Sequence, residues 1–283
     1  MDGRGSCAEI LAAHFAEGRH LAVGLDPVVD RIPASLEPSA PLADRVIAFN
    51  RAIVAATAAL ACAYKPNAAF FEALGADGFR ALRETIEAIR AHAPQAAVIL
   101  DAKRADIGST NAGYVAAAFD ELGADAITVH PYLGREAMAP FLDRAEKLTF
   151  VLARTSNPGA GEFQDLQVDG EPLYRRVATA VAERWNGNGN CGLVVGATYP
   201  EELRAVREDV PAAMPVLIPG VGAQGGDLGA VVAAHREAGS GAYLIAASRS
   251  IIYASAGDDF AEAASREAQV LDQAIRAAGD PSR

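Results

Sequence analysis

Between positions 98 and 106 the chain reads Val-Ile-Leu-Asp-Ala-Lys-Arg-Ala-Asp, an apolar strand pattern that runs directly into Asp101, Lys103 and Asp106. Strand side chains repeat their facing every two residues, so Asp101 and Lys103 point the same way. Asp106 falls just past the strand end, where it can fold back or reach a neighbour. Two carboxylates bracketing one ammonium at the end of a buried strand carry a desolvation cost. The pattern therefore points to charge handled in a reaction, with a structural salt bridge on a barrel rim as the plainer alternative. Lys65 also ends an apolar stretch, where an unpaired buried lysine would be costly. Pairing with Asp101 would relieve it, and Lys65, Asp101, Lys103 and Asp106 would then form one alternating charge network.

Positioning these residues requires a regular scaffold. Short apolar stretches at 20–26, 61–65, 96–103, 125–130, 149–154, 191–195, 215–218 and 241–246 read as strands. Amphipathic helical patterns lie between them, at 78–93, 111–122, 135–144, 173–185, 200–208 and 227–238. A helical lead-in occupies about 1–19 and a closing helix about 259–278. Eight such units with buried-looking strands predict an α/β protein, a parallel (β/α)8 (TIM) barrel built as a single domain from residues 1–283. An open doubly wound sheet is the alternative. The 283-residue length fits one barrel, which needs about 250 residues.

Barrel chemistry sits at the C-terminal ends of the strands. There the sequence places Asp26, Lys65, the Asp101–Lys103–Asp106 group, His130, Thr155-Ser156-Asn157-Pro158-Gly159, Pro219-Gly220-Val221-Gly222-Ala223-Gln224-Gly225-Gly226 and Ser248-Arg249. So many polar residues at one rim argue for a single site. The last two segments suit a phosphate: glycines let backbone N–H groups approach an anion, Gln224 adds donors, and Arg249 offers a planar fork. Ser248 is expected to cap a short helix. The plainer alternative is that these glycines only serve turns. His130 reads better as a hydrogen-bonded structural residue than as a catalyst. The long connection 154–171 reads as a functional or mobile loop, and the Asn-Gly-Asn-Gly-Asn run at 186–190 as a flexible turn on the opposite rim.

The formal net charge of −11 disfavours DNA or an anionic membrane as partner, while an anionic small molecule remains compatible with locally converging basic residues. Apolar residues make up 51% of the chain, yet charges break every run well short of a membrane helix. The N-terminus lacks a signal peptide's apolar core, and Cys7, Cys62 and Cys191 are widely spaced, so the reading is a cytoplasmic protein with reduced packing cysteines.

Asp101, Lys103 and Asp106 resemble the D-x-K-x-x-D signature of the orotidine 5′-phosphate decarboxylase family, and the string from Asp101 to Thr110 looks like its longer bacterial branch, type 2. Gly24-Leu25-Asp26-Pro27, Tyr64-Lys65-Pro66-Asn67, Thr155 to Gly159, Pro219 to Gly222 and Arg249-Ser250-Ile251 extend the likeness along the chain in matching order. The resemblance implies conversion of orotidine 5′-monophosphate to uridine 5′-monophosphate and carbon dioxide in pyrimidine biosynthesis, without metal or organic cofactor. It implies that Lys103 protonates C6, that Asp101 lies beside the substrate carboxylate, that Lys65 bridges the charges and the ribose, and that Asp26 holds a ribose hydroxyl. Ser156 would contact the pyrimidine, and Gln224 and Arg249 the phosphate, with Gly220, Gly222 and Gly225 in the same grip. Asp106 would be delivered across a homodimer interface, with Ile107 and Thr110 at the shared edge. The segment 219–227 would serve as a lid, linked by Ser156 to the base. Ala105 and Ser248 stand where the family usually has glycine, a substitution that a positive φ at either position would oppose.

Three other readings compete. A magnesium-dependent sugar-phosphate decarboxylase or aldolase on the same barrel would want a carboxylate near strand two, where this chain has Lys65, which repels a metal. A Schiff-base aldolase would need a lysine freed of flanking acids. A noncatalytic phosphate-ligand binding protein would not require the charge cluster.

Overall fold

In chain order the elements are α1 (Cys7–Ala16), β1 (Leu21–Leu25), α2 (Leu42–Thr57), β2 (Ala63–Pro66), α3 (Ala68–Glu72), α4 (Gly78–His92), β3 (Ala97–Arg104), α5 (Gly108–Val115), β4 (Ala126–Val129), α6 (Gly134–Leu142), β5 (Leu148–Arg154), α7 (Gly161–Gln164), α8 (Leu173–Ala180), β6 (Cys191–Val195), α9 (Pro200–Asp209), β7 (Val216–Pro219), α10 (Leu228–Glu237), β8 (Tyr243–Ala247), α11 (Arg249–Ile252) and α12 (Phe260–Gly279). They come from a computed structural model, which describes residues 4–221 and 226–279. Each of the eight strands pairs in parallel with its chain neighbours, and β1 pairs with β8 through Leu21↔Ile245 and Val23↔Ala247, so the sheet closes into the expected barrel rather than an open sheet.

Closure divides each strand's side chains into two sets. Ala22, Ala63, Ala97, Ile99, Ala126, Phe150, Val194, Leu217 and Leu244 fill the barrel interior. Leu21, Val23, Tyr64, Val98, Leu100, Ile127, Val151, Leu193, Val216 and Ile245 pack outward against the helices. Alternation carries the inner set upward to Lys65 on β2, Asp101 on β3 and Thr128 on β4. At the lower end, α1 presses Cys7 and Leu11 into the interior cluster. Its start is fixed by a capping box between Ser6 and Glu9.

Several elements depart from the sequence reading. α2 has no counterpart among the helices read from sequence, because polar Asn50 and Thr57 sit on its buried face and blur the apolar stripe. Thr57 donates to Ile53 O at 2.8 Å, while Asn50 donates to Thr85 Oγ1 at 3.2 Å and leaves its Oδ1 without a partner among the described residues. The segment read as a loop at 154–171 holds α7 and a two-residue hairpin pairing Gln167–Val168 with Glu171–Pro172. The asparagine-glycine run at 186–190 lies before β6, on the opposite rim as expected, but it is pinned rather than loose. Asn186 accepts from Cys191 N at 2.9 Å, while Asn188 and Asn190 donate to Leu142 O at 2.9 and 3.0 Å.

The three cysteines are buried and free, and burial pushes the Cys62 and Cys191 thiols up to about 12. Among the described residues no helix is long and apolar enough to cross a membrane.

Tyr243 carries an aromatic stack: His20 lies 4.0 Å from its ring and His235, on α10, 4.7 Å away. His235 is fully buried, and neither ring nitrogen has a hydrogen-bond partner among the described residues. Burial, with Arg207 and His20 nearby, pushes its pKa down to about 3. The unfolded imidazole titrates near 6.5, so this contribution to stability is full above about pH 6.5 and is lost as pH falls toward about 3. His235→Leu should therefore narrow the drop in Tm between about pH 7.5 and about pH 5 relative to the parent protein. An equal drop in both proteins, by circular dichroism melts, would place the acid sensitivity elsewhere.

Candidate active site

At the C-terminal mouth of the barrel, the inner faces of β2, β3 and β4 converge on Asp101. Its Oδ2 accepts from Lys65 Nζ at 3.0 Å, and its Oδ1 accepts from Lys103 Nζ at 2.7 Å and from Thr128 Oγ1 at 2.9 Å. Lys65 and Asp101 are 6% and 8% exposed, whereas the Lys103 side chain is half-exposed and free to meet a ligand. Burial alone would raise the Asp101 carboxyl, but the two ammoniums more than reverse this and hold it well below the usual carboxylate range. Burial likewise works against the Lys65 ammonium, and Asp101 and Asp26 outweigh it, leaving its pKa raised. Lys65 and Asp101 thus hold each other in the charged form.

Lys103 reaches this place through an irregular backbone. β3 and β4 lose register between Leu100 and Arg104, and within the bulge Lys103 takes φ +47°, in the left-handed region. The bulged Lys103 N–H is recovered by Thr128 Oγ1 at 3.0 Å. Thr128 therefore holds both the carboxylate and the backbone that aims the lysine. It is absent from the sequence-read site, although its inward position on β4, two residues after Ala126, is the signal that marks it.

Asp106 does not join this network. No ion pair links it to Lys103. Its Oδ1 accepts from Ile107 N at 2.6 Å and its N–H donates to Asn111 Oδ1 at 2.9 Å. The sequence expectation of one four-membered network is corrected to three members within a chain, because the chain turns outward into α5 immediately after the bulge. Ile107 and Thr110 are exposed at the start of that helix.

Beside this string, and sharing Lys65 with it, Asp26, Lys65, Gly220, Val221, Ser248 and Arg249 line one small cleft. Asp26 Oδ1 is 4.0 Å from Lys65 Nζ and has no hydrogen-bond partner among the described residues. Gly220, at φ +100°, makes the turn out of β7. Gly222, Gln224 and Gly225 lie outside the described residues, as does the middle of the segment read as a lid, 222–225. Ser248 occupies the N-cap position of α11, yet its hydroxyl makes no capping bond, which corrects the expected cap. Its ψ of −82° departs from the extended backbone usual at an N-cap. The side chain instead lies against β1, where a Cβ on Gly24 would come within 2.6 Å of Ser248 Cβ. Gly24 thus supplies the room that Ser248 uses, and neither Ser248 nor Ala105 has a positive φ.

Ser156 sits after β5. A Cβ on Gly196 would strike its Cα at 2.7 Å, so a side chain at 196 would push Ser156 off its seat. The segment is anchored by buried Arg154, which donates from Nη2 to Asp165 at 3.1 Å and lies 3.9 Å over the Tyr199 ring. His130 is local: its Nδ1 meets Tyr132 N at 3.4 Å. A larger cavity, about 370 Å³, lies outside the barrel among α3, α4 and α5. It is lined mostly by apolar groups such as Phe71 and Leu82, and shares no residue with the charge string.

The sequence matches the Orotidine 5'-phosphate decarboxylase / HUMPS family over residues 21–265. It is 54% identical over 261 residues to the orotidine 5'-phosphate decarboxylase of Herpetosiphon aurantiacus, covering 92% of this chain and 94% of that protein. It is 49% identical over 258 residues to that of Cellvibrio japonicus, covering 91% and 93%. The fold is similar to that of Leishmania donovani OMP decarboxylase, with a TM-score of 0.80 and 39% identity over 96% of this chain and 99% of that one.

The left-handed backbone at Lys103 makes a test independent of catalysis. Glycine normally costs a strand about 0.5–1 kcal/mol relative to alanine. At this φ the order should invert, with Lys103→Gly more stable than Lys103→Ala by about 1 kcal/mol in urea unfolding. An alanine variant at least as stable as the glycine one would show that the left-handed conformation imposes no such cost.

Proposed function

The chain belongs to the orotidine 5'-phosphate decarboxylase / HUMPS family, and we propose that it is a carboxy-lyase converting orotidine 5′-monophosphate to uridine 5′-monophosphate and carbon dioxide. The observation that carries the reading is the Lys65–Asp101–Lys103 string at the mouth of the barrel, facing a cleft that contains Asp26 and Arg249. In this reading the pyrimidine lies over Lys103 and the phosphate beside Arg249. The C6–carboxylate bond breaks, its electron pair stays on C6, and the Lys103 ammonium gives C6 a proton. Asp101 places negative charge beside the substrate carboxylate, a repulsion that ends when neutral carbon dioxide leaves. It also holds the proton donor in place. Lys65 bridges the charges and the ribose, Asp26 takes a ribose hydroxyl, and Ser156 contacts the base.

One charge pair at about 4 Å and an effective dielectric of about 20 contributes roughly 4 kcal/mol. Enzymes lower barriers by roughly 8–23 kcal/mol. The remainder must come from other preorganised groups and from binding energy supplied by remote parts of the substrate, chiefly the phosphate.

The chain works in this reading as one barrel domain in a cytoplasmic homodimer, each Asp106 completing the other subunit's site. The exposed Ile107, Tyr132 and Leu133, clustered after β3 and β4, support an apolar edge there.

Incubation with orotidine 5′-monophosphate and a chelator, followed by substrate absorbance and product chromatography, tests the reaction. Sustained turnover is expected; none at all would refute it, and turnover only with added magnesium would favour a metal enzyme. Lys103→Ala should fold normally and lose nearly all turnover, and near-parental rates would remove its role as proton donor. Arg249→Ala should lower kcat/KM by about a hundredfold, the loss of a charged hydrogen-bonded pair worth about 3 kcal/mol. An unchanged kcat/KM would remove Arg249 from the phosphate.

A further inference from the structure

Asp26 Oδ1 has no hydrogen-bond partner among the described residues, and Lys65 Nζ stays 4.0 Å away. The aim of this carboxylate therefore depends on the backbone that carries it. That backbone is held from the segment that follows the neighbouring strand, β8. Tyr253 is the residue immediately after α11, the segment that presents Arg249. Its hydroxyl donates to Asp26 O at 3.1 Å and accepts from Val28 N. Pro27, between them, has no N–H to offer. One phenol oxygen thus clamps the backbone on both sides of the proline.

The ring is itself fixed. The Arg31 guanidinium lies 4.0 Å from its centroid and Phe49 stacks on it at 5.8 Å. Tyr64 offers a contrast: its hydroxyl meets Thr57 and Val54 O, both within the scaffold at the end of α2. The partners of Tyr253 instead bracket a residue that lines the cleft.

We infer that Tyr253 is a positioning residue, tying the phosphate-side segment to Asp26 so that anchoring at Arg249 and aim at the ribose are mechanically coupled. The inference rests on the decarboxylase reading above.

The test compares kcat and KM for orotidine 5′-monophosphate in the parent enzyme, Tyr253→Phe, Asp26→Asn and the double variant. Tyr253→Phe keeps the ring contacts and removes only the hydroxyl. It should lower kcat/KM about tenfold alone and less than about twofold in the Asp26→Asn background, since it acts through that side chain. A merely structural hydroxyl would lower Tm in both backgrounds and leave the kinetics of the folded enzyme unmoved. An unchanged kcat/KM in Tyr253→Phe, or losses that add fully in the double variant, would overturn the inference. Should Tyr253→Phe fold poorly, Val28→Pro removes the N–H partner at a residue whose φ of −81° already suits proline. A loss of activity through Asp26 is expected there too, and none would overturn the coupling. Absence of turnover in the parent enzyme would overturn both readings, whereas turnover with an unaffected Tyr253→Phe would overturn this one alone.

Discussion

A carboxylate held between two ammoniums is the constraint that the rest of this molecule serves. Burying Asp101 or Lys65 alone would be strongly unfavourable, and the three charges are tolerable together only because their geometry is close and each finds polar partners. That geometry needs three adjacent strands whose inner faces meet at the same height. A closed parallel sheet provides this: the alternation that sends Ala63, Ile99 and Ala126 into the core sends the next inward residues, Lys65, Asp101 and Thr128, to the rim. The apolar layers below are the foundation of the polar one above.

The proton donor proposed for this site stands on the least regular piece of strand. Lys103 occupies a left-handed conformation inside a bulge, and Thr128 supplies the hydrogen bond that the broken ladder no longer can. Strain of this kind persists only where the surroundings over-determine it. Here the Asp101 carboxylate holds the tip of the side chain while Thr128 holds its base. On the adjoining wall, Gly24 yields space to Ser248 and Gly220 turns the chain out of β7.

Much of this was legible in the chain itself. The eight strands follow from apolar runs bounded by turn residues, and the shared facing of Asp101 and Lys103, with the pairing of Lys65 to Asp101, follows from strand periodicity and the cost of an unpaired buried charge. What escaped had physical reasons. α2 hides behind Asn50 and Thr57, whose hydrogen bonds let polar groups sit on an apolar face. Within its own chain Asp106 stays outside the cluster because the bulge redirects the backbone, and no residue type announces a bulge. Ser248 carries the composition of a cap but not its geometry. Thr128 and Tyr253 act through backbone groups of other residues, which pattern reading does not reveal. Gly222, Gln224 and Gly225, read as part of a phosphate grip, lie outside the described residues.

The helix wedged beneath the barrel has a consequence of its own. With Cys7 and Leu11 seated under a packed interior, the barrel is a cul-de-sac. Whatever enters from above must leave by the same doorway, so incoming ligand and outgoing product queue for one threshold. Traffic through that shared opening, as much as bond-breaking inside it, then becomes a quantity on which the rim can be selected.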